Sequence, residues 1–138
     1  MNKKEIKLRN NLSELDTLKD FLDGISAEWQ LPVKTTFELN LILEEIVVNI
    51  ISYGYNDKHS HEIIIIFENE AANKMLTFTV IDDGIEFNPL KKAPVDITMP
   101  VEERQIGGLG IQLMNNLTQS VTYTRNSNKN ILKMTKTF

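Results

Sequence analysis

The chain has 138 residues, with 15 basic and 19 acidic side chains and a formal net charge of −4. This length fits one domain, and a composition of 41% hydrophobic and 25% charged residues is globular, which excludes a disordered chain. The absence of cysteine excludes disulfide scaffolds and thiolate metal sites, and the acidic balance argues against direct nucleic-acid binding.

The N-terminal third predicts one strand and two helices. The first ten residues, MNKKEIKLRN, lack the apolar region of a signal peptide, and residues 5–9 alternate as in a strand. Apolar residues at helical spacing predict a first helix over 13–29. Pro32 precedes a second helix over 36–53, which ends at Gly54. This second helix is the most apolar stretch of the chain, so we expect it to be largely buried.

The remainder predicts a hairpin, a long loop, a helix and a second hairpin. Residues 62–68 and 75–81 form two apolar strands, and residues 84–106 lack clean periodicity and contain three prolines. A helix over 109–117 and two alternating strands joined around SNKN complete the chain. No apolar run approaches the roughly 20 residues of a membrane span. We therefore expect a single cytoplasmic domain over 1–138, without membrane or nucleic-acid contacts.

Three places break the local pattern, and the first is on the second helix. Glu45 and Asn49 lie four residues apart, and so share one side of a helix that is otherwise Leu, Ile and Val. Burying both there is costly unless something pairs with them. One interpretation is a hydrogen-bonded core pair. The other is magnesium chemistry, in which the amide ligates the cation and the carboxylate activates a nucleophile.

The second place is Asp82-Asp83-Gly84 at the end of a strand. A plain Asp-Gly turn explains it structurally. In the functional interpretation, one carboxylate points inward and accepts a hydrogen bond from a base amino group. Gly84 then allows a ligand ring to lie against the backbone.

The third place is the glycine-rich start of the last helix, Gly107-Gly108-Leu109-Gly110. Free N–H groups and the positive end of the helix dipole suit a phosphate there. A flexible helix start is the structural alternative. The stretch is neither a Walker loop, since no Gly-Lys-Ser/Thr follows, nor a Rossmann fingerprint, since no strand precedes it.

A further pair, His59 and His61, forms H-x-H in a polar loop. No third ligand lies nearby in the sequence, so we expect a solvated loop there and no metal site.

In this order, helix E-x-x-x-N, strand-end D-x-G, long loop and G-G-x-G resemble the superfamily of type II topoisomerase, chaperone, histidine kinase and mismatch-repair ATPases (the GHKL, or Bergerat, fold). The stretches EEIVVNIISYGY, VIDDGIEFNP and ERQIGGLGIQLM are most similar to bacterial anti-sigma-factor serine/threonine kinases. The resemblance implies an α/β (α+β) two-layer sandwich, with helices on one face of a mixed, mostly antiparallel sheet.

The resemblance also implies roles for the pattern-breaking residues. Glu45 would be the general base and Asn49 the ligand of Mg²⁺. Asp82 would accept the adenine amino group, with Gly84 beside the base.

The long loop and the last helix would complete the ATP site. Residues 85–106 would form the ATP lid, and Arg104 near its end would reach the γ-phosphate and join Glu45 as a catalytic residue. The phosphates would lie against Gly107, Gly108, Leu109 and Gly110.

The implied function is an ATP- and Mg²⁺-dependent kinase that acts as an anti-sigma factor. It would phosphorylate a small antagonist of the STAS type, bind a sigma factor and form a homodimer. An ATP-gated binding module with little or no phosphoryl transfer is the alternative, and an isolated ATPase domain of a sensor histidine kinase is a weaker one.

Overall fold

Alternating apolar and polar residues build a five-stranded sheet in the computed structural model, which describes residues 2–91 and 108–138. The strand order is β1-β2-β3-β5-β4, and all four neighbouring pairs are antiparallel. This confirms the predicted two-layer α+β fold. The described sheet is antiparallel throughout, however, and not mixed as expected. The strands are β1 (Asn2–Arg9), β2 (Glu62–Glu70), β3 (Met75–Asp82), β4 (Ser120–Asn126) and β5 (Lys129–Thr137).

Within the described residues, three α-helices accompany the sheet: α1 (Glu14–Trp29), α2 (Val33–Tyr53) and α3 (Gly108–Leu117). Helix α2 begins directly after Pro32, three residues earlier than predicted. Proline favours a helix start because its fixed φ suits that position and its missing N–H would have no intrahelical partner. None of the helices in the described ranges combines the length and hydrophobicity needed to cross a membrane.

The core lies between the helices and one face of the sheet. Alternate residues of the strands point into it, because side chains along a strand change face at every step. The fully buried residues of β2 and β3 are Ile63, Ile65, Phe67, Leu76 and Phe78. From α2, the fully buried residues are Leu39, Ile42, Leu43 and Val47.

The prediction that α2 is largely buried is wrong. Its outer side exposes Val33 at 88%, Phe37 at 63% and Leu41 at 36%. The sheet covers this helix on one side only, and a count of apolar residues does not say which side of a helix is covered. Helix α2 is therefore apolar on two sides and buried on one.

A buried ion pair fixes α2 against the sheet. Lys136 on β5 is 5% exposed, and its ammonium lies 3.2 Å from the carboxylate of Glu38 on α2. The same ammonium donates a hydrogen bond of 2.7 Å to the carbonyl of Leu117 at the end of α3. A buried charge needs such partners because it has lost its hydration. Lys136 thus joins both helices that carry predicted site residues.

The last hairpin is tighter than the predicted SNKN connection. Only Ser127 and Asn128 separate β4 from β5, and both have positive φ, 52° and 62°. A two-residue loop with positive φ at both positions matches the twist of the flanking strands. The register that results places Asn130 of β5 opposite Asp82 of β3.

Candidate active site

Asp82 is the last residue of β3 and faces the helices. Its side chain is on the same face as Phe78 and Val80, and the residue is only 7% exposed. Its Oδ1 accepts hydrogen bonds from the Gly84 N–H (2.9 Å) and from Nδ2 of Asn130 (3.0 Å). Within the described part of the chain no donor reaches Oδ2. This carboxylate is therefore held in place with one oxygen left to accept a further hydrogen bond.

Burial raises the pKa of the Asp82 carboxyl above its usual range, because desolvation penalises the charged form. The hydrogen bonds from Asn130 and Gly84 favour the charged form and offset part of this effect. These two donors thus favour the ionised Asp82 carboxylate, the form that accepts hydrogen bonds, although the group is buried.

Asn130 was missed by the sequence analysis, and it organises this corner of the fold. Besides the bond to Asp82, its Nδ2 donates to the Ile85 carbonyl at 2.8 Å. Its Oδ1 accepts from the Phe87 N–H at 3.2 Å and from the Tyr123 hydroxyl. The sequence did contain a signal for Asn130. It is a polar residue at the alternating positions of β5 that are otherwise apolar, Leu132 and Met134, just as Glu45 is polar in an apolar helix.

Gly84 allows the end of β3 to approach the end of α2. A methyl group on Gly84 would overlap the carbonyl oxygen of Gly54, the residue that follows α2. That same carbonyl accepts the Ile85 N–H at 2.8 Å, and Arg125 donates to the Gly84 carbonyl at 2.8 Å. The two segments that carry the predicted site residues are therefore joined backbone to backbone.

Glu45 and Asn49 lie one turn apart on α2, as their spacing predicts, but both are half-buried and not fully enclosed. No described residue forms a hydrogen bond with either side chain. The described residues therefore do not contain the hydrogen-bonded core pair that was one of the two interpretations of Glu45 and Asn49.

Of the glycine-rich stretch, Gly108, Leu109 and Gly110 form the first turn of α3, close to the predicted start of the helix at residue 109. Gly107 and Arg104 lie outside the described residues. Of the predicted lid, only residues 85–91 are described, and they end in a 3₁₀ turn, Pro89–Lys91.

The H-x-H pair lies in a loop and His59 is exposed, as predicted, but the side chain of His61 is only 15% exposed and has partners. Its Nε2 lies 2.7 Å from Oδ1 of Asp57, and its Nδ1 lies 3.1 Å from Oδ1 of Asp83. Its ring stacks on Tyr55 with centroids 4.2 Å apart. The hydrogen bond to Asp57 is the main cause that raises the pKa of His61, and the same bond lowers the pKa of Asp57. The α2–β2 loop is thus anchored to the end of β3.

Tyr55 brings this loop close to the buried carboxylate. Its hydroxyl is buried without a hydrogen-bond partner among the described residues. Burial is the first cause that raises its pKa, and the charges of Asp82 and Asp83 raise it further. The loop therefore packs beside the candidate site on the side of Asp83.

The sequence pattern of the histidine kinase-like ATPase domain matches residues 8–136. Among characterised proteins, the chain is 32% identical to the serine-protein kinase RsbW of Bacillus thuringiensis over 106 residues, which are 72% of this chain and 62% of that protein. It is 22% identical to the serine/threonine-protein kinase BtrW of Bordetella bronchiseptica over 115 residues, which are 83% and 80% of the two chains. The chain thus spans less than two thirds of the RsbW kinase.

The chain also shares its fold with proteins of known structure. The structure of the RsbU and RsbW domains of Rv1364c from Mycobacterium tuberculosis superposes with a TM-score of 0.70 at 15% identity, over 99% of this chain and 32% of that one. A blue-light activated histidine kinase of Erythrobacter litoralis gives 0.57 at 21% identity, over 77% and 31%.

The contact of Gly84 with Gly54 generates the first prediction. Gly84→Ala should destabilise the protein by about 1–3 kcal/mol, because a rigid carbonyl occupies the space of the new methyl. Gly24→Ala is the matched control: it lies within α1, where an added methyl would meet no other atom, and should stabilise by about 0.5–1 kcal/mol. Urea unfolding measures both changes. Equal stabilities for the two variants would contradict the assigned contact.

The His61 cluster generates a prediction on pH. Because the pKa of His61 is raised in the folded protein, the charged ring stabilises the fold. This contribution is fully present below the pKa of the unfolded chain, about 6.5, and is lost as pH rises through the pKa of the folded protein. His61→Gln should therefore lower the melting temperature most in mildly acidic solution, above the lowered pKa of Asp57, with the difference shrinking as pH increases. His59→Gln is the control and should show no such trend. A His61→Gln deficit that is constant with pH would exclude the charged cluster.

Proposed function

The chain belongs to the family of histidine kinase-like ATPase domains, and on this basis we propose that it binds ATP with Mg²⁺ and transfers the γ-phosphate to a serine or threonine of a protein substrate. The kinase names of the RsbW and BtrW relatives support the reaction. The observation that carries the proposal is the junction of Gly54 with Gly84 and Ile85. It joins the helix of Glu45 and Asn49 to the strand of Asp82.

Asp82 is proposed to recognise adenine. Its free Oδ2 is an acceptor for the adenine amino group, and Asn130 and Gly84 hold its other oxygen. The carboxylate is buried, so a hydrogen bond to it is stronger than one made in bulk water. A guanine presents a carbonyl oxygen at the equivalent position, which the carboxylate would repel.

Glu45 is proposed as the general base. It would take the proton of the substrate hydroxyl as that oxygen forms a bond to the γ-phosphorus. The bond from the γ-phosphorus to the oxygen that bridges the β- and γ-phosphates would break, and ADP would leave. Its half-burial with no hydrogen-bond partner among the described residues suits a carboxylate that must accept a proton.

Asn49 is proposed to hold Mg²⁺ through its amide oxygen, and the residues present fit this ion. Mg²⁺ prefers oxygen ligands and is usually held by one or two side chains together with substrate phosphates and water. The described residues contain no cluster of three or more His, Cys, Asp or Glu able to bind a metal ion by itself. When bound, the ion would neutralise phosphate charge.

The start of α3 is proposed to bind the phosphates. Gly108, Leu109 and Gly110 lie in its first turn, where backbone N–H groups lack intrahelical acceptors. Gly107 and Arg104 are also proposed to contact the phosphates, and the family resemblance alone supports their roles.

The proposed partners follow from the same resemblance. The substrate would be an anti-sigma-factor antagonist of the STAS type, and the kinase would also bind a sigma factor, form a homodimer and act in the cytoplasm. Regulation of transcription would then depend on which partner the kinase holds.

Nucleotide binding is tested by thermal unfolding with ATP, ADP and GTP, each with and without Mg²⁺. A ligand at 100 times its Kd stabilises by about 2.7 kcal/mol, which raises the midpoint by several degrees for this size. Asp82→Asn should lose most of the ATP shift, because its amide presents a donor to the adenine amino group. Asp83→Asn, the neighbour on the other face, should retain it. No shift with any nucleotide would overturn the proposal.

Phosphoryl transfer is tested with γ-labelled ATP and purified STAS-domain proteins of the source genome. Glu45→Gln should reduce transfer by roughly 10²-fold or more while the ATP-dependent thermal shift remains. Glu44→Gln, an exposed neighbour, should leave both unchanged. If wild type shifts with ATP but labels no STAS protein, the ATP-gated binding module is the correct alternative.

A further inference from the structure

The outward side of α2 carries an apolar stripe. Val33, Phe37 and Leu41 follow one another at four-residue spacing and are 88%, 63% and 36% exposed. Residues four apart lie on one side of a helix. The outward side of a helix that packs on a sheet is ordinarily polar. An apolar stripe at that position therefore calls for an explanation other than the core of this domain.

The stripe leads to Glu45. Leu41 lies one turn before Glu45, and the rise of about 1.5 Å per residue places Phe37 roughly 12 Å from Glu45 along the axis. A protein whose hydroxyl reaches Glu45 must cover its neighbours on this helix. The stripe is thus within reach of any folded substrate positioned for transfer.

The helix that carries the stripe is held rigidly. Thr36 forms a hydrogen bond with Ser26 of α1, and Asn40 donates to the Thr36 carbonyl at 3.1 Å. On a neighbouring side, Glu38 is paired with the buried Lys136. The contacts of Thr36 with α1 and of Glu38 with the sheet therefore fix the position of the helix that carries the stripe.

We infer that Val33, Phe37 and Leu41 form the docking surface for the protein that receives the phosphate. The inference rests on the proposed kinase function. An exposed aromatic side chain flanked by aliphatic ones is a typical anchor of a protein interface.

Size and charge favour a transient substrate over a second copy of this chain. Three side chains supply far less than the roughly 800 Å² per partner of a stable interface. Glu45 lies one turn beyond Leu41, so its carboxylate would repel the added charge of a phosphoserine, about −1.5 to −2, in the product. An unmodified serine segment would bind and its phosphorylated form would leave.

The test compares steady-state transfer by wild type, the double variant Phe37→Ser/Leu41→Ser, and Leu12→Ser. The acceptor is the STAS-domain protein that wild type labels. The double variant should raise KM for that protein roughly tenfold or more, with KM for ATP and the ATP-dependent thermal shift unchanged. Leu12, 52% exposed and outside α2, is the matched control and should leave all values unchanged. Val33→Lys is a second probe, since its side chain is too exposed to disturb the core.

Unchanged KM for the acceptor in both the double variant and Val33→Lys would overturn the docking surface. Sedimentation would also overturn it if wild type were a dimer and these variants were monomers, because the stripe would then join two copies. Failure of the kinase proposal is distinguished by wild type alone, which would label no STAS protein, and the docking inference would fall with it.

Discussion

The side-chain amide of Asn130 is the constraint on which the geometry of the site depends. Its nitrogen donates to the Asp82 carboxylate and the Ile85 carbonyl, and its oxygen accepts from the Phe87 N–H and the Tyr123 hydroxyl. Two donors and two lone pairs are the full capacity of a primary amide. None of these partners can move away without leaving a buried polar group unpaired, which is costly. The orientation of Asp82, the path of the chain after it and the position of β4 are therefore set together.

Strand geometry gives two adjacent carboxylates different environments. Asp82 faces the helices, is buried and meets Asn130, whereas Asp83 is exposed and meets His61 from the α2–β2 loop. Because successive residues alternate faces, a shift of β3 by one residue would exchange the two environments. The pairing of β3 with β5 prevents this shift, since it places Asp82 opposite Asn130. Register within the sheet thus decides which carboxylate is buried with one oxygen free.

Local patterns predict the five strands and the three helices, because helical spacing and strand alternation depend on near neighbours in the sequence. Glu45, Asn49, Asp82 and Gly84 stand out for the same reason, since each departs from its local pattern. Their burial, and the contact of Gly84 with Gly54, depend on how the elements pack. Asn130 and Asp82 are 48 residues apart, and His61 and Asp83 are 22 apart. Such pairs form only once register and loop path exist, so a single sequence did not reveal them.

The side chains of helix α2 lie in three different environments around its axis. Only those that face the sheet contribute to folding by being buried. Successive residues turn by about 100°, so Leu39 and Leu43 face the sheet, Glu45 and Asn49 lie on a flank, and Phe37 lies nearly opposite the core. Apolar side chains that are exposed in both the folded and the unfolded chain gain nothing from folding, since the hydrophobic contribution follows the area removed from water, at about 25 cal/mol per Å². The hydrophobicity of the outward side therefore stabilises nothing until another surface covers it. The same physical effect that holds α2 against the sheet is thus available, on its opposite side, for binding a partner beside Glu45.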